Sequence, residues 1–181
     1  MNIKKGPWVV TNSKVVYENN WISVIEDKVI RPDGKNGIFG VVKMKEGVSV
    51  LPIDNEGYVY LTREYHYAIE QKTIEVVSGG IEDGEDPKSA GKRELEEELG
   101  IIAMEMVGLG KIYPLTSLVE ITNHLFLATG LKFSEQKLEG TEVIASVKVS
   151  LDEAVDLVYN GTICDGTTVA LILKAKNYLS S

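Results

Sequence analysis

The 181-residue chain is predicted to fold as an α/β protein: a mixed β-sheet covered by helices, with antiparallel strands added at the N-terminus. Three observations predict it. β-branched and aromatic runs joined by tight turns fill residues 8–63; a glycine-rich turn then leads into a sharply bracketed helix near residues 86–100; strands and helices interleave from there onward. Strands that come both as hairpin-joined pairs and beside helices suit a mixed sheet better than a regular βαβ series.

The length fits one domain with a small N-terminal addition, and a chain of this size buries about 70% of its unfolded surface without staples. Cys164 is the single cysteine, so an internal disulfide is excluded, and with two histidines the usual zinc sites cannot be built. It reads as an ordinary structural thiol. The net charge of −8 argues against a nucleic-acid-binding surface. Most of that charge is local, since residues 82–98 contain eight acids and three bases. No N-terminal run has the makeup of a signal peptide and no apolar run reaches membrane-spanning length, so a soluble cytoplasmic protein without a membrane partner is expected. Asn160-Gly161-Thr162 matches a glycosylation sequon that would matter only in a secretory compartment.

Taken in order, residues 8–30 and 37–44 read as antiparallel strands around the turn Arg31-Pro32-Asp33-Gly34. Trp8, Tyr17 and Trp21 in this region suit either packing or stacking on a base. Residues 47–53 and 57–63 are β-rich runs joined by the hairpin signal Asp54-Asn55-Glu56-Gly57. The second leads into Arg63-Glu64-Tyr65-His66-Tyr67, which could hold a phosphate or a base, or simply end a surface strand. Residues 72–77 form a further strand, with Glu75 just before the glycine turn. Beyond the helix come strands near 104–113 and 123–131, a polar segment at 132–142, and a strand at 143–149. Ser150 caps a helix that Gly161 ends, and residues 166–179 form a final helix. Neither a Walker A loop nor a nucleophile elbow is present, and Gly108-Leu109-Gly110 reads as a turn.

The helix near residues 86–100 carries the chemistry. Asp86 can cap it, Pro87 suits its first turn, and Gly100 can adopt the left-handed conformation that ends it. Glu94, Glu97 and Glu98 fall within about 100° of arc, while Leu95 and Leu99 form an adjacent anchoring stripe. Like charges so placed repel; a hard divalent cation with a phosphate ligand is the natural complement to three carboxylates, and a solvated acidic helix face is the alternative reading of such a run.

The stretch from Gly79 to Ile101 resembles the Nudix box, G-x5-E-x7-R-E-U-x-E-E-x-G-U with U a bulky aliphatic residue. Gly79, Glu85, Arg93, Glu94, Leu95, Glu97, Glu98, Gly100 and Ile101 fill every specified position. Val50-Leu51-Pro52-Ile53, the Arg63–Tyr67 segment, Glu75 and Thr162-Ile163-Cys164-Asp165 further resemble the ADP-ribose pyrophosphatase and nucleoside-diphosphate-sugar hydrolase branch. The chain departs from that branch at His66, where Arg is common, and at Leu115-Thr116-Ser117, where a Ser-Pro-Gly turn is common.

The resemblance implies a Nudix α/β/α sandwich over residues 47–181, with residues 1–46 supplying antiparallel strands to a homodimer and to the substrate site. It implies Mg²⁺, or Mn²⁺, held by Glu94, Glu97, Glu98 and the backbone carbonyl of Ser78. Arg93 would orient the carboxylates, including Glu85. Glu142 is the first candidate for general base and Glu139 the second, while Arg63, His66 and Glu75 would bind substrate. The implied reaction is metal-dependent hydrolysis of the pyrophosphate of ADP-ribose or an NDP-hexose to a nucleoside monophosphate and a sugar phosphate. The alternatives are a nucleoside triphosphate or dinucleoside polyphosphate pyrophosphatase on the same fold, and a non-catalytic ligand-sensing Nudix domain.

Overall fold

The structure, a computed structural model, describes every residue except Met1, Glu139, Thr141 and Glu142. The chain forms two compact units: Met1–Lys45 with Tyr113–Thr122, and Glu46–Ile112 with Asn123–Ser181.

The first unit is a five-stranded sheet ordered β1-β2-β3-β4-β10, from β1 (Ile3–Lys5), β2 (Trp8–Glu18), β3 (Ile22–Ile30), β4 (Asn36–Met44) and β10 (Val119–Glu120). Its neighbours are antiparallel except β10, which runs parallel to β4. Asn19 makes the first tight turn, its Oδ1 accepting from the backbone N–H groups of Trp21 and Ile22 (2.8 and 2.9 Å). Trp8 packs edge-on against Phe39, with centroids 5.5 Å apart, so this aromatic is used in packing. Tyr17 and Trp21 are exposed.

The second unit holds two sheets and three helices. One sheet is ordered β8-β5-β11-β9, from β8 (Val77–Gly80), β5 (Gly47–Pro52), β11 (Asn123–Phe133) and β9 (Ile101–Ile112); β5 and β11 are parallel and the other pairs antiparallel. The other sheet is antiparallel, β12-β6-β7, from β12 (Ala145–Ser150), β6 (Tyr58–His66) and β7 (Gln71–Glu75). Side chains alternate across a strand, and β5 is buried on both faces. Val48 and Val50 join the core beneath α1 (Pro87–Leu99), with Leu95, Leu99 and Met106. Leu51 joins the opposite core, with Leu171 and Ile172 of α3 (Gly166–Leu179) and Ala154 of α2 (Leu151–Tyr159). Helices on both faces explain why β5 is buried along its whole length, Ser49 being its one polar side chain, and they make this unit an α/β/α sandwich.

Two expected strand relations differ. The Asp54–Gly57 turn forms, with Asp54 N–H to Tyr58 O at 2.9 Å, but β5 and β6 then separate after the single bridge Ile53–Val59 and enter different sheets. The expected strand at residues 72–77 likewise divides at Val76, where β7 leaves β6 and β8 takes up β5. The freed Val76 N–H donates to Thr168 Oγ1 (3.2 Å), so the buried amide remains paired at the switch between sheets. β1 and β10 are short edge strands that no sequence pattern announces.

Candidate active site

Local rules place α1 as its sequence requires. Asp86 accepts from the backbone N–H groups of Lys88 and Ser89 (3.0 and 3.2 Å), Pro87 opens the helix, and Gly100 ends it at φ 62°. Leu95 is fully buried, and the adjacent face carries Glu94, Glu97 and Glu98 at the border of the core. Glu98 is only 6% exposed.

Arg93 organises this face. Its Nε and Nη2 donate to the two carboxylate oxygens of Glu85 (3.1 and 3.0 Å), a bidentate pair. Its Nη1 donates to one oxygen each of Glu94 and Glu97 (2.8 and 3.1 Å), and Nη2 also reaches the Gly80 carbonyl (3.0 Å). The hydrogen bonds that Arg93 donates to Glu85 foremost, with those it donates to Glu94 and Glu97, hold the guanidinium charged. In return the Arg93 bonds, and then the backbone N–H of Glu82, keep the Glu85 carboxyl below the usual glutamate range. One guanidinium thus ties the glycine turn, Glu85 and two helix carboxylates together.

Gly79 makes room for this arrangement. A Cβ there would lie 2.0 Å from the Glu94 carboxyl carbon and from its Oε1, so the carboxylate rests against the backbone of β8. The preceding residue, Ser78, is on the same edge strand, and its hydroxyl pairs with Ser49 Oγ at 2.7 Å, leaving its side chain occupied within the sheet.

The candidate substrate residues are only partly gathered. His66 Nε2 lies 2.9 Å from Glu75 Oε1, which also accepts from Thr73 Oγ1. In the β6–β7 ladder Thr62 faces Glu75 and His66 faces Gln71, which puts His66 and Glu75 on one face. Arg63 is opposite Ile74, on the other face, and is exposed. The odd spacing of 63 and 66 already carried that signal, because successive side chains alternate in a strand. The ring contact of Glu75 with His66, and its second partner Thr73, were not foreseen. Glu142 and Glu139 lie outside the described residues.

Hard oxygen donors at i, i+3 and i+4 fit a divalent cation with water and phosphate ligands, and the missing side chain at Gly79 gives Glu94 the space to serve. Among the described residues no three acidic, imidazole or thiol groups already enclose an ion. The Glu94 and Glu97 carboxylates are instead turned onto Arg93, each through one oxygen. Glu94, Glu97 and Glu98 are the residues that could hold the cation.

Comparison with known proteins extends beyond this helix. Residues 8–42 match the nucleoside diphosphate sugar hydrolase N-terminal domain and residues 43–167 the NUDIX domain. The chain is 28% identical over 159 residues to an ADP-ribose pyrophosphatase of Bacillus subtilis (strain 168), covering 87% of this chain and 86% of the relative. It is 28% identical over 159 residues to a methanol dehydrogenase activator of Bacillus methanolicus, with the same 87% and 86% coverage. A solved structure of an ADP compounds hydrolase superposes with a TM-score of 0.83 over 94% of this chain and 93% of that one; at 20% identity this speaks for the fold alone. Since the NUDIX match runs from the end of β4 through the carboxylate helix to the first residues of α3, well over half of the chain and not the box alone, the chain belongs to the Nudix family.

Proposed function

We propose that the protein hydrolyses the pyrophosphate bond of nucleoside diphosphate sugars, ADP-ribose or an NDP-hexose, giving a nucleoside monophosphate and a sugar phosphate. The observation that carries this reading is the joint presence of a complete box, with its Arg93 clamp formed, and an N-terminal region matching a nucleoside diphosphate sugar hydrolase domain. The Bacillus subtilis relative named for ADP-ribose supports the same substrate class.

In this mechanism Glu94, Glu97, Glu98 and the Ser78 carbonyl would hold Mg²⁺, which Mn²⁺ could replace. When bound, the cation neutralises the pyrophosphate and lowers the pKa of an attacking water. Arg93 fixes the carboxylate geometry through the contacts described above and does not itself touch substrate. Glu142, or in its place Glu139, takes the proton from the water as its oxygen bonds to phosphorus and the bridging P–O bond breaks. His66, oriented by Glu75, contacts the substrate, and Arg63 approaches from the other face of β6 or serves only the strand surface.

The protein acts in the cytoplasm as a homodimer; no helix among the described residues is long and apolar enough to cross a membrane. Exposed Val15, Val16, Tyr17 and Trp21 on and beside β2 supply apolar surface suited to a second copy.

A panel of ADP-ribose, ADP- and GDP-hexoses, deoxynucleoside triphosphates and dinucleoside polyphosphates, with products separated by chromatography, tests the reading. The expected outcome is metal-dependent release of nucleoside monophosphate, with the highest kcat/KM on an NDP-sugar. Preference for triphosphates or dinucleoside polyphosphates would overturn the substrate class, and tight binding without any product would overturn catalysis.

A further inference from the structure

We infer that Ser134–Lys137, directly after β11, is a strap that positions the last turn of α1, with Gln136 a positioning residue for the metal ligands; this rests on the reading of Glu97 and Glu98 as ligands. The last four carbonyls of any helix lack intrahelical partners, and an unsatisfied end frays. In α1 that turn is Glu96–Leu99, which contains both carboxylates.

Each link in the strap is a specific bond. Gly100 N–H closes onto Glu96 O (2.9 Å), as a left-handed cap should. Lys137 N–H then donates to Glu97 O (2.9 Å), and the Gln136 side-chain amide donates to Glu98 O. Ser134 donates to Gly100 O through both its backbone N–H (2.6 Å) and its hydroxyl (3.1 Å). The seat is close-fitting, since a Cβ on Gly100 would come within 2.4 Å of Ser134 O and 3.0 Å of Gln136 N.

The electrostatics show why this helix needs more than a glycine. Its C-terminal end, already the negative pole of the helix, carries Glu96, Glu97 and Glu98 and has no basic residue in the last turn. The strap brings Lys137, whose Nζ lies 2.7 Å from Glu96 Oε1. Backbone atoms of two ligand residues are therefore fixed by a segment 38 residues or more away in sequence. A ligand turn so held keeps the spacing of Glu97 and Glu98 against their mutual repulsion, and the cation does not have to order it on binding.

Direct Mn²⁺ binding to the full chain without substrate, read as free Mn²⁺ by electron paramagnetic resonance, tests this. Gln136→Met keeps the length of the side chain and removes the donor; it is expected to weaken Mn²⁺ binding about tenfold, the low end of what loss of an outer-shell partner costs. Asp54→Asn, which disturbs the same unit at the β5–β6 turn, is the control and should leave Mn²⁺ affinity within twofold of wild type. A Gln136→Met affinity equal to that of the control would overturn the strap. Unchanged affinity in Glu97→Gln would instead overturn the ligand assignment beneath it. Should Gln136→Met not fold, hydrogen exchange of the wild-type protein decides: saturating Mg²⁺ should slow the Lys137 amide at least threefold, because coupling between two sites is reciprocal. No change in that amide would reject the coupling.

Discussion

Replacing Gly79 with alanine separates the position of one carboxylate from the stability of the fold. The new Cβ would sit 2.0 Å from the Glu94 carboxyl carbon, and ordinary carbon contacts lie near 3.5 Å, so the carboxylate must retreat by about 1.5 Å. Gly79 is not among the glycines at positive φ, so alanine suits its backbone. Glu94 can move by rotating its side chain, giving up the 2.8 Å bond to Arg93 Nη1. One such charge-assisted bond contributes about 1.5–3 kcal/mol, and the lower entropy of an unfolded chain with alanine returns part of it. The variant is thus expected to melt within a few degrees of wild type. A displacement of an ångström or more at a reacting centre costs about 100-fold in rate, which is the expected fall in kcat/KM on ADP-ribose. Thermal unfolding and a continuous assay of nucleoside monophosphate release measure the two quantities on the same preparation. The double variant Gly79→Ala/Glu94→Gln should be no slower than Glu94→Gln alone, since both changes act on one group. A folded Gly79→Ala enzyme with kcat/KM within threefold of wild type would refute the placing of Glu94 in the catalytic site.

Other predictions follow from the same geometry. Glu97→Gln and Glu98→Gln should each lower kcat by about 100-fold or more with far-ultraviolet circular dichroism unchanged, because a cation that stabilises transition-state charge contributes several kcal/mol. Gly100→Ala should lose about 2 kcal/mol or more of unfolding free energy, since it places a side chain at φ 62° and against Ser134 O; urea titration measures it. His66→Ala should raise KM for ADP-ribose several-fold with little change in Tm, and an unchanged KM would assign the ring to packing. Burial tends to raise the Asp54 carboxyl, but the backbone N–H of Tyr58, the Tyr60 hydroxyl and Lys148 outweigh it and hold the carboxyl below the ordinary aspartate value. A lowered folded value stabilises above the unfolded value and is lost as pH falls, so stability from Asp54 should decline below about pH 4. Asp54→Asn should cost about 1–2 kcal/mol at pH 7 and flatten that acid limb in urea titrations.

What could be read from the sequence follows the range of the forces involved. Capping, periodicity and turn chemistry act over a few residues, so α1, its caps and the single face bearing Glu94, Glu97 and Glu98 were legible down to the residue. The pairing of Arg93 with Glu85 was reached only through the box pattern. Choice of strand partner is non-local, and there the reading ran out. Asp54–Gly57 correctly announced a turn, yet nothing near it states that β5 will be taken by β11 and β8 while β6 goes to β7 and β12. The division at Val76 depends on Thr168, 92 residues on, to satisfy the amide it frees.

The end of α1 joins the two cases. Three acids at the negative pole of a helix with no basic residue in its last turn state a need for outside donors and a cation, and that need is legible locally. The supplier is not, because Ser134, Gln136 and Lys137 look like any polar segment after a strand until the fold sets them against Glu97, Glu98 and Gly100. A residue chosen for hydrogen bonds to main-chain carbonyls leaves no motif of its own. An unmet demand in a helix end is therefore the sequence signal to pursue: it points to a positioning residue elsewhere in the chain before the fold reveals which one.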